Sequence, residues 1–75
     1  MTRSEMLLDF AAKAKEAYSK GDLKTAGEYW TKIYNTCSSS DITDARDLAL
    51  TMRKFTDQEV YDITDYLKET SGYYG

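Results

Sequence analysis

Histidine and proline are absent from this 75-residue chain, and cysteine and tryptophan occur once each, as Cys37 and Trp30. Without histidine no unperturbed side chain titrates near neutrality, and Ser-His or Cys-His pairs and imidazole metal ligands are excluded. One cysteine cannot close an internal disulfide, and the N-terminus lacks the basic, apolar and small-residue layout of a signal peptide, so the chain reads as cytoplasmic. Apolar runs never exceed three residues, against the roughly 20 that a membrane span needs. Glycine is scarce too, with four residues, two of them in the last four positions. A chain this short buries only about 60% of the surface that its unfolded form exposes. Nearly all its apolar residues then go to one core, which leaves little for a substrate pocket. The expectation is a single non-catalytic domain that needs no metal or cofactor.

Helical signals fill the chain. Thr2-Arg3-Ser4-Glu5 has the form of a capping box, and Met6, Phe10, Ala14, Ala17 and Tyr18, widened by Leu7 and Ala11, keep helical spacing as far as Gly21. These predict a helix over about 4–19. Asp22 is placed to cap the next, in which Leu23, Ala26, Trp30, Ile33 and Cys37 recur at 3, 4, 3 and 4, over about 23–37. A turn of only Lys20, Gly21 and Asp22 makes the two helices antiparallel neighbours. Ser38-Ser39-Ser40 reads as a loop, with Ser40 or Asp41 capping a third helix over about 41–54. Its apolar stripe is Ile42, Ala45, Leu48, Ala49, Met52 and Phe55. Thr56-Asp57-Gln58-Glu59 is a second capping box. It opens a fourth helix over about 57–70, carried by Val60, Ile63 and Leu67, with Tyr66 beside them. Gly72 is placed to stop it, and residues 71–75 read as a tail. No segment keeps a two-residue alternation, so the fold class is all-α, a three- to four-helix bundle opening with an antiparallel hairpin.

Ala14, the Gly21-Asp22 turn, Ala26, Trp30 and Ile33 stand where a tetratricopeptide repeat places its small, turn, small, aromatic and aliphatic residues. Residues 14–33 therefore resemble one such repeat, about a third of the chain. No second copy follows, and Ser38 lies near where the repeat usually has its closing proline. The resemblance implies one repeat-like hairpin capped by two more helices. Phe10-Ala11-Ala12, Gly21-Asp22-Leu23, Ala26, Tyr29-Trp30, Ala45, Ala49, Arg53 and Phe55 also resemble the ANR family of short helical regulators. That resemblance implies binding and inhibition of AraC-type transcription activators. The chain departs from that family in a longer stretch between Ala11-Ala12 and Gly21, in lacking the aromatic and cysteine residues usual near the second motif, and in its extra acidic fourth helix.

Trp30 between Ala-rich helices reads as core. The tyrosines are too many for one small core, and Tyr29 and Tyr61 fall off the main stripes. Tyrosine offers rigid contact area with a polar tip, so Tyr29, Tyr61 and Tyr66 are candidate partner-binding residues, with Tyr34, Tyr73 and Tyr74 as further surface tyrosines. Charge is uneven: residues 1–37 hold six basic and five acidic side chains, and residues 38–75 hold four and eight. Asp62, Asp65 and Glu69, spaced by 3 and 4, are expected on one helix face. That face is either simply solvated or meets a basic surface on a protein partner, such as a nucleic-acid-binding surface. The pattern lies on a helix without the glycine-centred loop of an EF-hand, which speaks against a metal. Lys13, Lys20 and Lys24 are offset by Glu16, Asp22 and Glu28, which speaks against direct nucleic-acid binding.

The functional expectation is a small protein-binding regulator or inhibitor, docking through tyrosines and an acidic helix. It is of the kind found among phage or mobile-element accessory proteins, such as transcription regulators and anti-CRISPR proteins. The alternatives are a structural homodimer made by the same surface and, behind it, a helical protein that binds nucleic acid directly, whose affinity would fall steeply with salt.

Overall fold

The computed structural model describes residues 1–38 and 40–71, so Ser39, the predicted stop at Gly72 and the tail tyrosines Tyr73 and Tyr74 lie outside the described residues. The architecture is all-α, with helices α1 (Arg3–Ser19), α2 (Leu23–Thr36), α3 (Ile42–Met52) and α4 (Asp57–Ser71). Each start has a chemical cause. Thr2 and Glu5 exchange reciprocal cap bonds at α1, and Thr56 and Glu59 do the same at α4. Asp22 accepts from the Thr25 amide to open α2, and the Thr25 side chain together with that amide holds its carboxyl below the usual range. Asp41, rather than Ser40, accepts from the Thr43 and Asp44 amides to open α3. Gly21 turns the first hairpin at φ 78°, a left-handed conformation that side chains disfavour.

The hairpin supplies most of the core. Leu7, Ala11, Ala14 and Ala17 of α1 face Ala26, Trp30 and Ile33 of α2, with Cys37, Phe55 and Ile63 completing the buried cluster. Small residues let the two helix axes approach, and Trp30 fills the space left beyond them. The buried stripe of α1 is centred on Leu7 and Ala11 rather than on Met6 and Phe10, because α1 is packed on two sides, by α2 and by α3. Beside α1, α3 runs in the same direction. Arg3 at the start of α1 bridges Asp44 and Asp47, and Lys15 three turns later donates to the Lys54 carbonyl at 2.6 Å.

Helix α4 joins the two halves of the hairpin. Its first turns lie against α1, where the buried Glu59 sits 3.7 Å from Lys15 and Asp62 accepts from the Tyr18 hydroxyl. Its later part lies against α2, where Leu67 packs on Gly27.

The apolar pattern of α3 is used differently from its prediction. Ile42, Ala45 and Ala49 were expected in the core and are exposed, Leu48 and Met52 are half-buried, and the one fully buried residue is Thr51. The inward face carries Asp44 and Asp47, which pair with Arg3, together with Leu48 and Met52, which pack against the core. Thr51 can follow them because its hydroxyl donates to the Asp47 carbonyl at 2.8 Å, which meets its need for a partner. The helix also ends at Met52, two residues before the predicted limit, in a turn whose Phe55 does reach the core.

Candidate surfaces for partner binding

Six residues are candidates for partner binding, and the fold distributes them over four environments. Tyr61, Asp65 and Glu69 follow one another at four-residue spacing on the solvent side of α4. Tyr61 is 66% exposed, and Asp57 and Gln58 extend the same face toward the helix start. Two early acids favour that end through the helix dipole.

Asp62 does not share this surface equally. It is half-buried and accepts from the Tyr18 hydroxyl and from Gln58 Nε2, the latter at 2.8 Å. The bond to Asp62 holds the Tyr18 proton and raises that phenol above its ordinary pKa. Asp62 thus fastens α4 to α1, whereas Asp65 and Glu69 point outward.

Tyr66 is half-buried at the edge of an open groove of about 530 Å³ between α2 and α4. Lys24, Gly27, Glu28 and Thr31 form one wall, and Leu67 and Thr70 form much of the other. Gly27 presents no side chain there, so Leu67 packs directly on the backbone of α2 at the floor of this opening.

Tyr29 belongs elsewhere. Its ring lies 6.1 Å from that of Phe10, and the Lys32 and Lys13 ammonium groups stand 4.9 and 5.8 Å from its centroid. Cations over aromatic faces are attracted by the ring quadrupole, so Tyr29 has partners within the hairpin. At 100° per residue it lies far around α2 from Gly27, the residue that meets α4. The fold does not bring Tyr29 together with Tyr61 and Tyr66.

A surface that the sequence reading missed lies on the outside of α3. Ile42, Arg46, Ala49 and Arg53 recur at 4, 3 and 4, with Ala45 and Leu50 on either side, and all six are exposed. Ile42 is 82% and Leu50 53% exposed. The signal was present in the i, i+3 pair Asp44 and Asp47, which a single arginine can bridge and so turn inward.

Among the described residues no group of three acidic or cysteine side chains could hold a metal ion, and no helix is long and apolar enough to cross a membrane. Lys13 is paired within α1 with Asp9 at 3.1 Å, and Lys20, the C-cap of α1, with Glu16 at 3.0 Å. No family model, no curated protein and no solved structure matches this chain.

Proposed function

We infer that this chain is a small non-catalytic protein-binding regulator or inhibitor whose docking surface is the outer face of α4. The observation that carries this reading is Tyr61, 66% exposed on a helix face that it shares with Asp65 and Glu69. An aromatic anchor inside an acidic rim suits a partner with a basic surface: the ring supplies desolvated contact area, and the carboxylates steer the encounter. Basic surfaces of that kind are typical of proteins that bind nucleic acid. Covering one would block its natural ligand, and a chain of 8.6 kDa is large enough to do so. The partner is then a transcription activator, as the ANR resemblance implies, or a nucleic-acid-binding component of a defence system. Both suit a cytoplasmic accessory protein of a phage or mobile element.

Sedimentation equilibrium across concentration and salt, followed by affinity capture with wild type, Tyr61→Ala and Asp65→Asn/Glu69→Gln, tests this reading. The expected result is a monomer that retains a partner at low salt and loses it in both variants while remaining folded. Retention unaffected by these substitutions would sink the reading. A dimer dissociated by Tyr61→Ala would assign the face to self-association and favour the structural homodimer.

A further inference from the structure

Helix α3 carries apolar residues on both sides. Leu48 and Met52 face the hairpin, while Ile42, Ala49 and Leu50 face solvent. An amphipathic helix packed on one side of a small domain ordinarily presents polar residues outward, and apolar residues on the second side are the mark of a helix with a second neighbour. No described element of this chain supplies that neighbour.

The charge on this face selects the neighbour. The Arg46 and Arg53 guanidinium groups make no hydrogen bond or ion pair with the described residues, and the exposed Lys54 follows immediately. Of the nearby acids, Asp44 and Asp47 are committed to Arg3 on the inner side, and Asp41 to the Thr43 and Asp44 amides at the helix start. The outward face is therefore cationic with an apolar centre, opposite in sign to the outer face of α4. A second copy meeting it symmetrically would set arginines against arginines, and like charges facing each other at an interface are unfavourable. A nucleic-acid backbone would satisfy the arginines but leave Ile42 and Leu50 against phosphates, gaining nothing from their burial. A carboxylate-flanked apolar helix satisfies both. Seven residues separate Arg46 from Arg53, roughly 10 Å along the axis at about 1.5 Å per residue. Two carboxylates seven residues apart on a partner helix match that distance, and each can accept a pair of hydrogen bonds donated by a guanidinium group.

We propose that the outer face of α3, formed by Ile42, Arg46, Ala49, Leu50 and Arg53, is a second docking surface, which takes an acidic amphipathic helix of another protein. The chain then offers two faces of opposite charge and can join a basic partner to an acidic one. This holds whether or not the α4 reading does, since the two faces share no residue.

Amide shifts of the isotopically labelled full chain provide the test. The titrants are a synthetic helical peptide with a leucine stripe flanked by glutamates at seven-residue spacing, its lysine counterpart, and a short DNA duplex. The glutamate peptide is expected to shift amides 42–54, and Arg46→Glu/Arg53→Glu to weaken it at least tenfold while binding the lysine peptide instead. Both arginines are exposed and unpaired, so the double variant should keep the wild-type circular dichroism. Ile42→Gln, equally exposed, should weaken the peptide without any charge reversal. Asp65→Asn should leave it unchanged. Four results would overturn the proposal: no shifts with the glutamate peptide, shifts confined to α4, equal binding of both peptides, or binding of the duplex through 42–54 in preference to the peptide. Shifts of the same amides on concentrating the chain alone would also overturn it, by making a second copy the occupant.

Discussion

A Cβ placed on Gly27 would come within 2.9 Å of Leu67 Cδ2, so the contact between α2 and α4 is set by the missing side chain of one residue and the position of the other. Two effects compete on Gly27→Ala. Helix propensity favours alanine by about 1 kcal/mol, and displacing the Leu67 side chain costs about 0.5–1.5 kcal/mol. Leu67 lines an open groove into which its tip can turn, so the terms nearly cancel. The melting temperature of Gly27→Ala should stay within about 8 °C of wild type. Gly27→Leu has no such escape and should cost about 1–3 kcal/mol by overpacking. Its amide exchange should rise most in 57–71 while α1 and α2 stay protected; uniform acceleration would show instead that α4 does not dock separately.

Trp30 packs edge-on against Phe55, ring centroids 5.0 Å apart, and tilts toward Tyr34 at 5.9 Å. It is the largest side chain in the core and links α2 to the turn that launches α4. Truncation to alanine typically costs about 3–5 kcal/mol, and a chain of this length has a total stability on the order of 4–11 kcal/mol. Trp30→Ala should therefore remove much or all of the cooperative thermal transition. Trp30→Phe, which keeps an aromatic edge, should retain it at a lower temperature. A Trp30→Ala variant that melts like wild type would mean that the hairpin is held by its alanine contacts alone.

The starts of all four helices were legible because caps are local: an oxygen, a free amide and a spacing of three suffice, as at Thr2–Glu5 and Thr56–Glu59. The rotation of α3 was not legible. Ile42, Ala45 and Ala49 have the periodicity of a buried stripe, yet the face that turns inward is the one that meets the hairpin core and Arg3, about forty residues earlier in the chain. Asp62 illustrates the same limit within the candidate site. Its spacing groups it with Asp65 and Glu69, and only the approach of Tyr18 from another helix separates it from them. Spacing gives the relative phase of residues on a helix; which phase faces inward depends on contacts distant in sequence.

The bond from Tyr18 to Asp62 has a consequence at alkaline pH. The phenol pKa is raised in the folded chain, first by this hydrogen bond and then by burial and the nearby carboxylates. A folded-state pKa above the unfolded value of about 10 means that the folded state holds the proton more tightly. Its stabilisation is complete below that pH and is lost as pH rises through the higher folded value. Absorbance at tyrosinate wavelengths should show one phenol ionising after the others, and Tyr18→Phe should abolish that late step. The variant's melting temperature should also decline less steeply above about pH 10. A late step that survives in Tyr18→Phe would assign it to another tyrosine.

Cys37 ends α2 as its C-cap and is buried, with its thiol raised above the ordinary value chiefly by desolvation. The thiolate is the reactive form, so burial slows modification twice, by lowering the thiolate fraction and by blocking access. The thiol lies close to the bridge that Arg3 makes with Asp44 and Asp47, and the next amide, that of Ser38, donates to Asp44 at 3.0 Å. Exposure of Cys37 therefore requires the start of α3 to lift from α1. Reaction with an aromatic disulfide at pH 8 should be roughly a hundredfold slower in the native chain than in urea, equivalent to a local opening of about 2.7 kcal/mol. Arg3→Gln should accelerate the native reaction, because it releases both aspartates while leaving the Cys37 side of the core unchanged. If Arg3→Gln and wild type react at the same slow rate, Cys37 is guarded by the core alone and the arginine does not hold α3 in place.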